Sequence, residues 1–219
     1  MTSDPSSPID VAALRRDYMQ RGLAESDLAP DPFVQFAAWL HDAVRCGSIQ
    51  EPNAMVLATV SGEGQPHARV MLLKGFGPGG FVFYTNYRSD KARELEAQPR
   101  AALTFPWLEL ERQVRIEGTV EKTTLNEVET YFQTRPRGSR LGAWASPQSR
   151  VIAGRSVLEA SLAEAEARFP LEIPVPEHWG GYRVVPTQIE FWQGRTNRLH
   201  DRLRYRKAGH LWVIERLAP

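Results

Sequence analysis

The sequence predicts a mainly β protein, a β-barrel with peripheral helices. Short runs of alternating apolar and polar residues, joined by Gly- and Pro-rich turns, fill most of the chain after residue 53. Helical patterns are inserted between these runs, without the Gly-x-Gly-x-x-Gly turn or the regular strand-helix alternation of a dinucleotide-binding unit. A chain of 219 residues suffices for one substantial core. We therefore expect a disordered tail at residues 1–9 and one domain over residues 10–219.

Two helices are predicted ahead of the strands. Asp10 is a suitable N-cap for the first, in which Val11, Leu14 and Tyr18 recur near helical spacing. The second is expected over residues 33–46, where apolar residues form a stripe along one face.

The middle of the chain predicts five strands and one short helix. The first three strands are separated by short turns, so we expect an antiparallel meander. Ser89 can cap a helix over residues 90–98, and Pro106 bends the fourth strand or places it near a sheet edge. The predicted strands are residues 55–60, 67–76, 81–86, 101–110 and 113–122.

The C-terminal part predicts two more helices and three strands. A helix over residues 124–134 has Leu125, Val128 and Phe132 facing inward, and a longer one over residues 151–169 has a Glu-rich outer face. Three further strands bring the sheet to about seven or eight. They are predicted at residues 182–185, 188–193 and 211–217.

Composition limits the classes of partner and compartment. Lys plus Arg total 27 against 26 Asp plus Glu, so there is no global basic field for nucleic acid. The longest apolar runs are too short to cross a membrane, and the N-terminus lacks the pattern of a secretory signal. Cys46 is the only cysteine, which excludes an internal disulfide and a Cys-rich zinc site. We expect a cytoplasmic protein that binds no metal, with Cys46 as a buried thiol.

One polar cluster follows the strand at 188–193. Arg198, His200 and Arg202 occupy every second position, so in an extended segment they share one face. Two fixed cations around an imidazole suit an anionic ligand that is also protonated or deprotonated. An exposed basic loop explains the same residues equally well.

A second pair of clusters lies earlier in the chain. Strict alternation puts Arg69 and Lys74 on opposite faces, so both serve one pocket only if a bulge intervenes or Lys74 lies beyond the strand. A solvated strand face is the alternative. Residues 84–91 form a strand end that leads into a helix start, where backbone N–H groups and Lys91 suit a phosphate. Many ordinary capped helices share this pattern.

Two more groups complete the candidates. Gln113 shares a strand face with Arg115 and Glu117; a surface salt-bridge ladder explains the charges, while the amide suits contact with a heterocycle. Tyr131 and Arg135 are one helical turn apart, followed by Ser139 in a predicted Pro/Gly-broken loop. A guanidinium, a phenol and a hydroxyl that converge would hold a phosphate monoester.

Together these clusters resemble the pyridoxine/pyridoxamine 5'-phosphate oxidase family, a group of FMN enzymes. The segments keep their order and spacing from about residue 15 to residue 219, and jointly they are far more specific than any one alone. They are RVMLLK (69–74), FYTN (83–86), FPWLELERQVRIEG (105–118), YFQTRPRGSRLGAWASPQS (131–149), WGGYRV (179–184), QIEFWQGRTNRLHDR (188–202) and ERLAP (215–219).

The resemblance implies an FMN-binding split barrel that forms a homodimer, with FMN in two clefts between subunits. From one subunit, the expected FMN contacts are Arg69, Val70, Met71, Leu72, Leu73, Lys74, Tyr84, Thr85, Lys91 and Gln113. From the other they are Gln148, Ser149, Trp192 and Arg202.

The resemblance also implies a substrate site and a reaction. Pyridoxamine 5'-phosphate, pyridoxine 5'-phosphate or both would be oxidised to pyridoxal 5'-phosphate by dioxygen, with release of hydrogen peroxide and, from the amine, ammonia. Arg198 and His200 would be catalytic, placed over the reacting carbon. The substrate's phosphate would be held by Lys74, Tyr131, Arg135 and Ser139. Further substrate contacts would be Leu199 and a covering segment of Arg15, Arg16, Asp17 and Tyr18.

One position departs from the family pattern. The family usually has Ser-Arg-Lys where this chain has Ser89, Asp90 and Lys91, so an anion replaces a cation expected beside the FMN phosphate. We expect FMN to bind more weakly, with Arg69 and Lys91 as the main phosphate ligands and Arg88 as possible compensation. The competing interpretations are another split-barrel flavoprotein such as a flavin reductase, and a flavin or pyridoxal-phosphate carrier without turnover.

Overall fold

The structure, a computed structural model, describes residue 18 and residues 22–219. The predicted tail at residues 1–9, the helix capped by Asp10 and the substrate contacts expected at Arg15, Arg16 and Asp17 lie outside the described residues.

The described chain is mainly β, with strands and helices in an irregular order along the sequence. The strands are β1 (Ala54–Val60), β2 (Pro66–Leu72), β3 (Gly75–Gly77), β4 (Gly80–Asn86), β5 (Arg100–Trp107), β6 (Arg112–Lys122), β7 (Trp179–Gln193), β8 (Asp201–Ala208) and β9 (Leu211–Leu217). The helices are α1 (Pro32–Arg45), α2 (Asp90–Ala97), α3 (Leu125–Thr134), α4 (Arg137–Ala145) and α5 (Arg155–Arg168). No helix within residues 22–219 is long and apolar enough to span a bilayer.

The strands form one antiparallel sheet in the order β2-β1-β5-β6-β7-β4-β3, with β8 paired to β7 and β9 to β8. Strand β7 is the central strand of this sheet, because it pairs with three others. On one side, β6 pairs with nearly the whole length of β7. Residues 179–184 of β7 pair with β4, and residues 188–193 pair with β8. The first and second halves of β7 therefore pair with different strands, and the sheet is curled.

A bulge marks the bend between these halves. The register of β6 against β7 shifts between Glu117 and Gly118. A Cβ atom at Gly118 would lie 2.1 Å from the carbonyl oxygen of Val185, so the two backbones approach more closely than a side chain permits.

Helix α1 closes the main core against the sheet. Asp31 caps it by accepting a hydrogen bond from the backbone N–H of Phe33 at 2.6 Å, and Pro32 occupies the first turn. Phe36 is fully buried, with its ring 5.0 Å from the rings of both Phe81 and Phe105. A smaller apolar cluster joins α3, α4, α5 and the start of β7, and Phe132 and Trp179 meet there at 5.0 Å.

The predicted meander is wrong, because residues 67–76 form two strands rather than one. The chain leaves β2 at Leu73, which is buried and bonds to Asn53 through both its N–H and its carbonyl. β2 then pairs with β1, whereas β3 pairs with β4, at the opposite end of the strand order. Lys74 consequently lies past the end of β2.

Three helix predictions also need correction. Residues 137–145 form α4 rather than a broken loop, because Pro136 begins this helix instead of interrupting one. Leu125 is 80% exposed, since α3 buries Val128 and Phe132 on its other side. Helix α5 starts at Arg155, four residues later than predicted, and Ala165 is its buried residue.

The remaining differences concern the C-terminal strands and Cys46. Residues 182–185 and 188–193 belong to one continuous strand, β7, and β8 was not predicted. Cys46 is partly exposed at the end of α1, with its Sγ atom 3.2 Å from Ser48 Oγ, so it is not a buried thiol.

Replacing Gly118 with alanine tests the bulge. We expect Gly118→Ala to lower the free energy of unfolding by about 1–3 kcal/mol, because the added methyl group meets backbone that has no room to move. Chemical denaturation measures the change. Gly77→Ala on β3 is the matched control, since its Cβ meets nothing within 4 Å; equal effects in the two variants would contradict the close approach.

Candidate active site

A cavity of about 690 Å³ opens between β2, β4, α3 and α4. Its size is within the range of small-molecule sites. It gathers residues from segments that are far apart in the sequence, and many of them are the predicted contacts. These are Val70, Met71, Leu72, Lys74, Tyr84, Thr85, Lys91, Tyr131, Arg135, Ser139 and Gln148.

Lys91 is a buried cation that lines this cavity. The residue is 9% exposed, and its Nζ atom donates to Gln148 Oε1 at 2.9 Å and to Thr85 Oγ1 at 3.2 Å. No carboxylate of the described chain lies within ion-pairing distance of it. Burial, and then the nearby Arg69 guanidinium, lower the pKa of Lys91. The ammonium therefore has neutral partners in a place where a ligand anion would be favoured.

The segment after α4 completes this part of the cavity. Gln148 also accepts a hydrogen bond from Thr85 at 3.1 Å, and Ser149, with φ of 66°, accepts one from the backbone N–H of Asp90 at 3.2 Å. The resemblance assigned Gln148 and Ser149 to the subunit opposite Thr85 and Lys91. In the structure all four belong to one group within one chain.

Arg135 supplies a second cation, which is partly buried. It is the C-cap of α3, and its guanidinium carbon lies 4.8 Å above the ring of Trp179. Its Nη1 atom is buried and has no hydrogen-bond acceptor in the described chain. Burial lowers its pKa. Such an orphaned donor on a cavity wall suits an anion.

The other residues predicted around this phosphate lie on the same wall. Tyr131 is one turn before Arg135 on α3, and Ser139 lies on α4, the helix that Pro136 starts. Lys74 reaches the cavity from beyond the end of β2. One of the two conditions for Lys74 to serve a pocket is thus met.

Three flat rings are aligned along the cavity. The ring of Tyr84 stacks 4.1 Å from Tyr131 and 5.4 Å from Trp179, with interplanar angles of 16° and 7°. Trp179 was not among the predicted contacts, although it begins a strand beside two glycines that leave room for neighbouring rings. Asn86, Thr134, Pro136, Gly142, Ala143 and Ser146 also line the cavity without having been predicted.

Arg69 does not line this cavity. Its Nη2 atom donates to Glu94 Oε2 at 2.9 Å, and it also donates to Thr59. Glu94 is buried and lies 2.8 Å from His67 Nδ1. Burial alone would raise the pKa of Glu94, but the hydrogen bonds from Thr59 and Arg69 outweigh it, so the pKa is lowered.

Asp90 is neutralised from within its own helix. Its carboxylate forms an ion pair with Arg93, which also donates to the backbone carbonyl of Arg88 at 2.9 Å. The Arg88 side chain is exposed and forms no such pair with Asp90. Arg93 thus offsets the charge of Asp90, while a role for Arg88 as the cation beside the FMN phosphate stays a prediction.

The remaining predicted residues gather at the other end of β7. In the strand register, Trp192 of β7 lies opposite Gln113 of β6 on one side and opposite Arg202 of β8 on the other. The imidazole of His200 lies 4.6 Å from the Trp192 ring and 5.5 Å from that of Tyr18. None of these residues lines the cavity. Within one chain, the predicted contacts therefore form two separate groups, one at the cavity and one near the end of β7.

Arg202 is held by a buried carboxylate. Its Nε atom donates to Glu190 Oε1 at 2.8 Å and its Nη1 atom to the carbonyl of Ala218 at 2.9 Å. Glu190 also accepts from Arg115 at 3.4 Å, and Arg115 pairs with Glu117, so the predicted salt-bridge ladder is present.

The prediction that Arg198, His200 and Arg202 share one strand face is wrong. A short 3₁₀ turn at Thr196–Arg198 interrupts the extended chain, and Arg198 has a left-handed φ of 62°. Strand β8 begins only at Asp201. Arg198 and Leu199 are exposed, while Leu73, expected to contact FMN, is buried in the main core.

Two family models match the chain. Residues 40–169 match the model described as pyridoxamine 5'-phosphate oxidase, and residues 179–219 match the one described as the pyridoxine 5'-phosphate oxidase C-terminal dimerisation region. The pyridoxine/pyridoxamine 5'-phosphate oxidase of Pseudomonas paraeruginosa is 58% identical over 211 residues, covering 95% of this chain and 98% of the relative. The protein of the same name from Thermosynechococcus vestitus is 60% identical over 209 residues, with coverage of 95% and 99%.

Solved structures give the same result for the fold. PhzG from Burkholderia lata 383, in complex with tetrahydrophenazine-1-carboxylic acid, is 31% identical with a TM-score of 0.83, covering 89% of this chain and 95% of that one. An FMN-binding protein from Nostoc punctiforme, related to pyridoxamine 5'-phosphate oxidase, superimposes with a TM-score of 0.69 at 20% identity, covering 88% and 100%. The predicted split-barrel fold is confirmed. By sequence identity over nearly its whole length, the chain belongs to the pyridoxamine 5'-phosphate oxidase family.

Proposed function

We propose that this chain is an FMN-dependent oxidase that converts pyridoxamine 5'-phosphate, pyridoxine 5'-phosphate or both to pyridoxal 5'-phosphate, in vitamin B6 biosynthesis and salvage. Dioxygen is the acceptor, and hydrogen peroxide is released together with ammonia from the amine. The observation that carries the proposal is the pair of cations that line one cavity, buried Lys91 and partly buried Arg135, whose Nη1 atom is buried without an acceptor in the described chain. The names of the relatives at 58% and 60% identity support it.

A ligand set with two anionic groups would match the two cations, Lys91 and Arg135. Removing a charge from water costs several kcal/mol unless an opposite charge or strong hydrogen bonds compensate. Neither Lys91 nor Arg135 has a carboxylate partner in the described chain, so each is available to a ligand phosphate. A phosphorylated cofactor together with a phosphorylated substrate would satisfy both.

The residues around Lys91 fit the FMN phosphate. Thr85, Gln148 and Ser149 add hydroxyl and amide groups beside the ammonium. When bound, FMN supplies a two-electron acceptor that dioxygen reoxidises. Arg69 is held by Glu94 beside this group, so we now assign it a supporting charge rather than a direct phosphate contact.

The residues around Arg135 would hold the phosphate of the substrate. Tyr131, Ser139 and Lys74 surround the same part of the cavity and offer two hydroxyl groups and a further cation. Anchoring the phosphate there fixes the distance and direction of the reacting carbon, and such orientation supplies a large share of the rate. The aligned rings of Tyr84 and Trp179 suit flat aromatic ligands.

We further propose that a second copy of the chain completes the cavity. Gln113, Trp192, Arg198, His200 and Arg202 form the other group, and all except Gln113 lie in the matched dimerisation region. In a homodimer this group of one protomer would face the cavity of its partner, with His200 and Arg198 orienting the reacting carbon and handling its proton. The chain's lone cysteine favours a cytoplasmic location.

Turnover is tested by incubating the FMN-loaded protein with pyridoxamine 5'-phosphate in air. We expect pyridoxal 5'-phosphate and hydrogen peroxide in equal amounts, measured by absorbance of the aldehyde and by a peroxidase-coupled assay. A carrier would bind the ligand and give neither product, and a flavin reductase would give no aldehyde.

Two variants separate chemistry from cofactor binding in the same assay. His200→Ala and Arg198→Ala should keep their yellow flavin while turnover falls, because neither residue belongs to the group around Lys91 that would hold the FMN phosphate. Normal turnover in both variants would remove these residues from the mechanism.

Replacing Arg135 tests the phosphate contact. Arg135→Ala should lower kcat/KM for pyridoxamine 5'-phosphate by about 10- to 150-fold, since a hydrogen bond to a charged group contributes roughly 1.5–3 kcal/mol. Activity on unphosphorylated pyridoxamine should change little. The control is Arg155→Ala on the exposed face of α5, and an equal loss on both substrates would argue against phosphate recognition.

Position 90 tests the unusual aspartate. Asp90→Arg should tighten FMN binding by about tenfold or more, because it adds a charge-assisted contact and frees Arg93. Fluorescence titration of FMN into the apoprotein gives the dissociation constant. Glu159→Arg, an equal charge change on exposed α5, is the control. An unchanged or weaker constant for Asp90→Arg would mean that the aspartate costs no affinity.

A further inference from the structure

We propose that Asp201 is a positioning residue that fixes the tautomer and orientation of His200 by closing the loop between β7 and β8. The inference rests on the proposed function for the role of His200, and it concerns how this chain prepares that residue.

The loop has a strained backbone that needs support. It runs from Gly194 to His200, between the end of β7 and the start of β8. Asn197 and Arg198 have φ angles of 56° and 62°, a left-handed conformation that non-glycine residues adopt at an energetic cost. Such a conformation persists when surrounding contacts hold it in place.

Asp201, the residue directly after the loop, provides such contacts. Its Oδ2 atom accepts from Arg195 Nη1 at 3.3 Å and from the backbone N–H of Leu23 at 3.0 Å. Its Oδ1 atom accepts from Arg216 Nη1 at 2.7 Å. One carboxylate thus joins the start of the loop to its end, to the segment before α1 and to β9.

A second contact inside the loop assigns the tautomer of His200. The backbone N–H of Arg195 donates to His200 Nδ1 at 3.1 Å. Nδ1 must therefore carry a lone pair, and the neutral imidazole has its proton on Nε2. The ring also packs against Trp192 and Tyr18, which leaves the Nε2–H as the donor that a ligand would meet.

The two contacts share one residue, Arg195. Its side chain is anchored by Asp201 and its backbone N–H faces His200, so release of the side chain would let the backbone move away from the imidazole. Gly22 makes room for this anchor. A Cβ atom at Gly22 would lie 1.5 Å from Arg195 Nη1, and Gly22 has no left-handed φ that would itself oppose a side chain.

The direction of a pKa change distinguishes positioning from a simple charge effect. Within the described residues, the titratable and charged groups near the imidazole are Arg198, Arg195 and Tyr18, and Asp201 is linked to it through Arg195. Burial, and then Arg198, lower the pKa of His200. Protonating Nδ1 also requires loss of the bond from Arg195, so losing the anchor raises this pKa. Removing only the negative charge of Asp201 would instead lower it.

Two variants release the anchor by different routes. Asp201→Asn removes the carboxylate charge, whereas Gly22→Ala adds a methyl group 1.5 Å from Arg195 Nη1 and 2.9 Å from Asp201 Oδ2, so it separates the two groups and changes no charge. The imidazole ¹⁵N shifts of His200, assigned with His200→Ala and followed against pH in the full-length protein, report both tautomer and pKa. We expect both variants to populate both tautomers and to raise the pKa of His200.

The kinetic expectation accompanies the spectroscopic one. In both variants kcat/KM should fall by about tenfold, by analogy with the outer hydrogen-bond partners of metal-bound histidines. FMN affinity should stay unchanged. Glu215→Gln, which also removes a carboxylate shared by two arginines, and Gly77→Ala are the matched controls, with shifts and kinetics like those of the parent protein.

Three outcomes would overturn the inference. The first is a parental tautomer and pKa in both variants. The second is a lowered pKa in Asp201→Asn with no change in Gly22→Ala, which indicates a charge effect alone. The third is an altered tautomer with unchanged kcat/KM in an enzyme that His200→Ala inactivates. Because the ¹⁵N measurement needs no turnover, an inactive parent protein would count against the proposed function without affecting the tautomer result. Should Asp201→Asn fail to fold, Gly22→Ala decides the question by itself.

Discussion

The structure depends on two cations beside one cavity, buried Lys91 and partly buried Arg135, and within the described residues neither has a carboxylate partner. Lys91 Nζ donates to the hydroxyl of Thr85 and to the amide oxygen of Gln148. Arg135 lies over the ring of Trp179, and its Nη1 atom has no acceptor in the described chain. An unpaired buried charge opposes folding, and an anion that binds only the folded chain offsets this cost. Under the proposed function, the contacts that bind phosphate would therefore also link ligand binding to stability.

Strand β7 connects this cavity to the second group of predicted contacts. It begins with Trp179, under the Arg135 guanidinium, and reaches Trp192 next to His200 near its other end. Pairing with β4 at the beginning and with β8 at the end places the two groups on differently oriented parts of one curled sheet. The predicted contacts of one chain are therefore divided between the two ends of one strand.

Local pattern in the sequence was sufficient for most element types and for a few polar residues of the cavity, and the family resemblance supplied the other predicted ones. Helix α1, the strands around β5 and β6, and the conjunction of Tyr131, Arg135 and Ser139 all follow from spacing and capping chemistry. The errors arise where contacts between distant residues decide the outcome. Leu73 is drawn out of the strand by Asn53, and Gln148 is joined to Lys91 across 57 residues. No local pattern encodes either contact.

The network around Asp201 also bears on the order of assembly. Leu23 reaches Asp201 across 178 residues, and Glu25 reaches Arg216 across 191. Contacts of such sequence separation form late, after the intervening chain has collapsed. On the ribosome, Asp201 therefore lacks its Arg216 contact until β9 has emerged. Nascent chains that stop before β9 would hold the His200 loop through Arg195 and Leu23 alone.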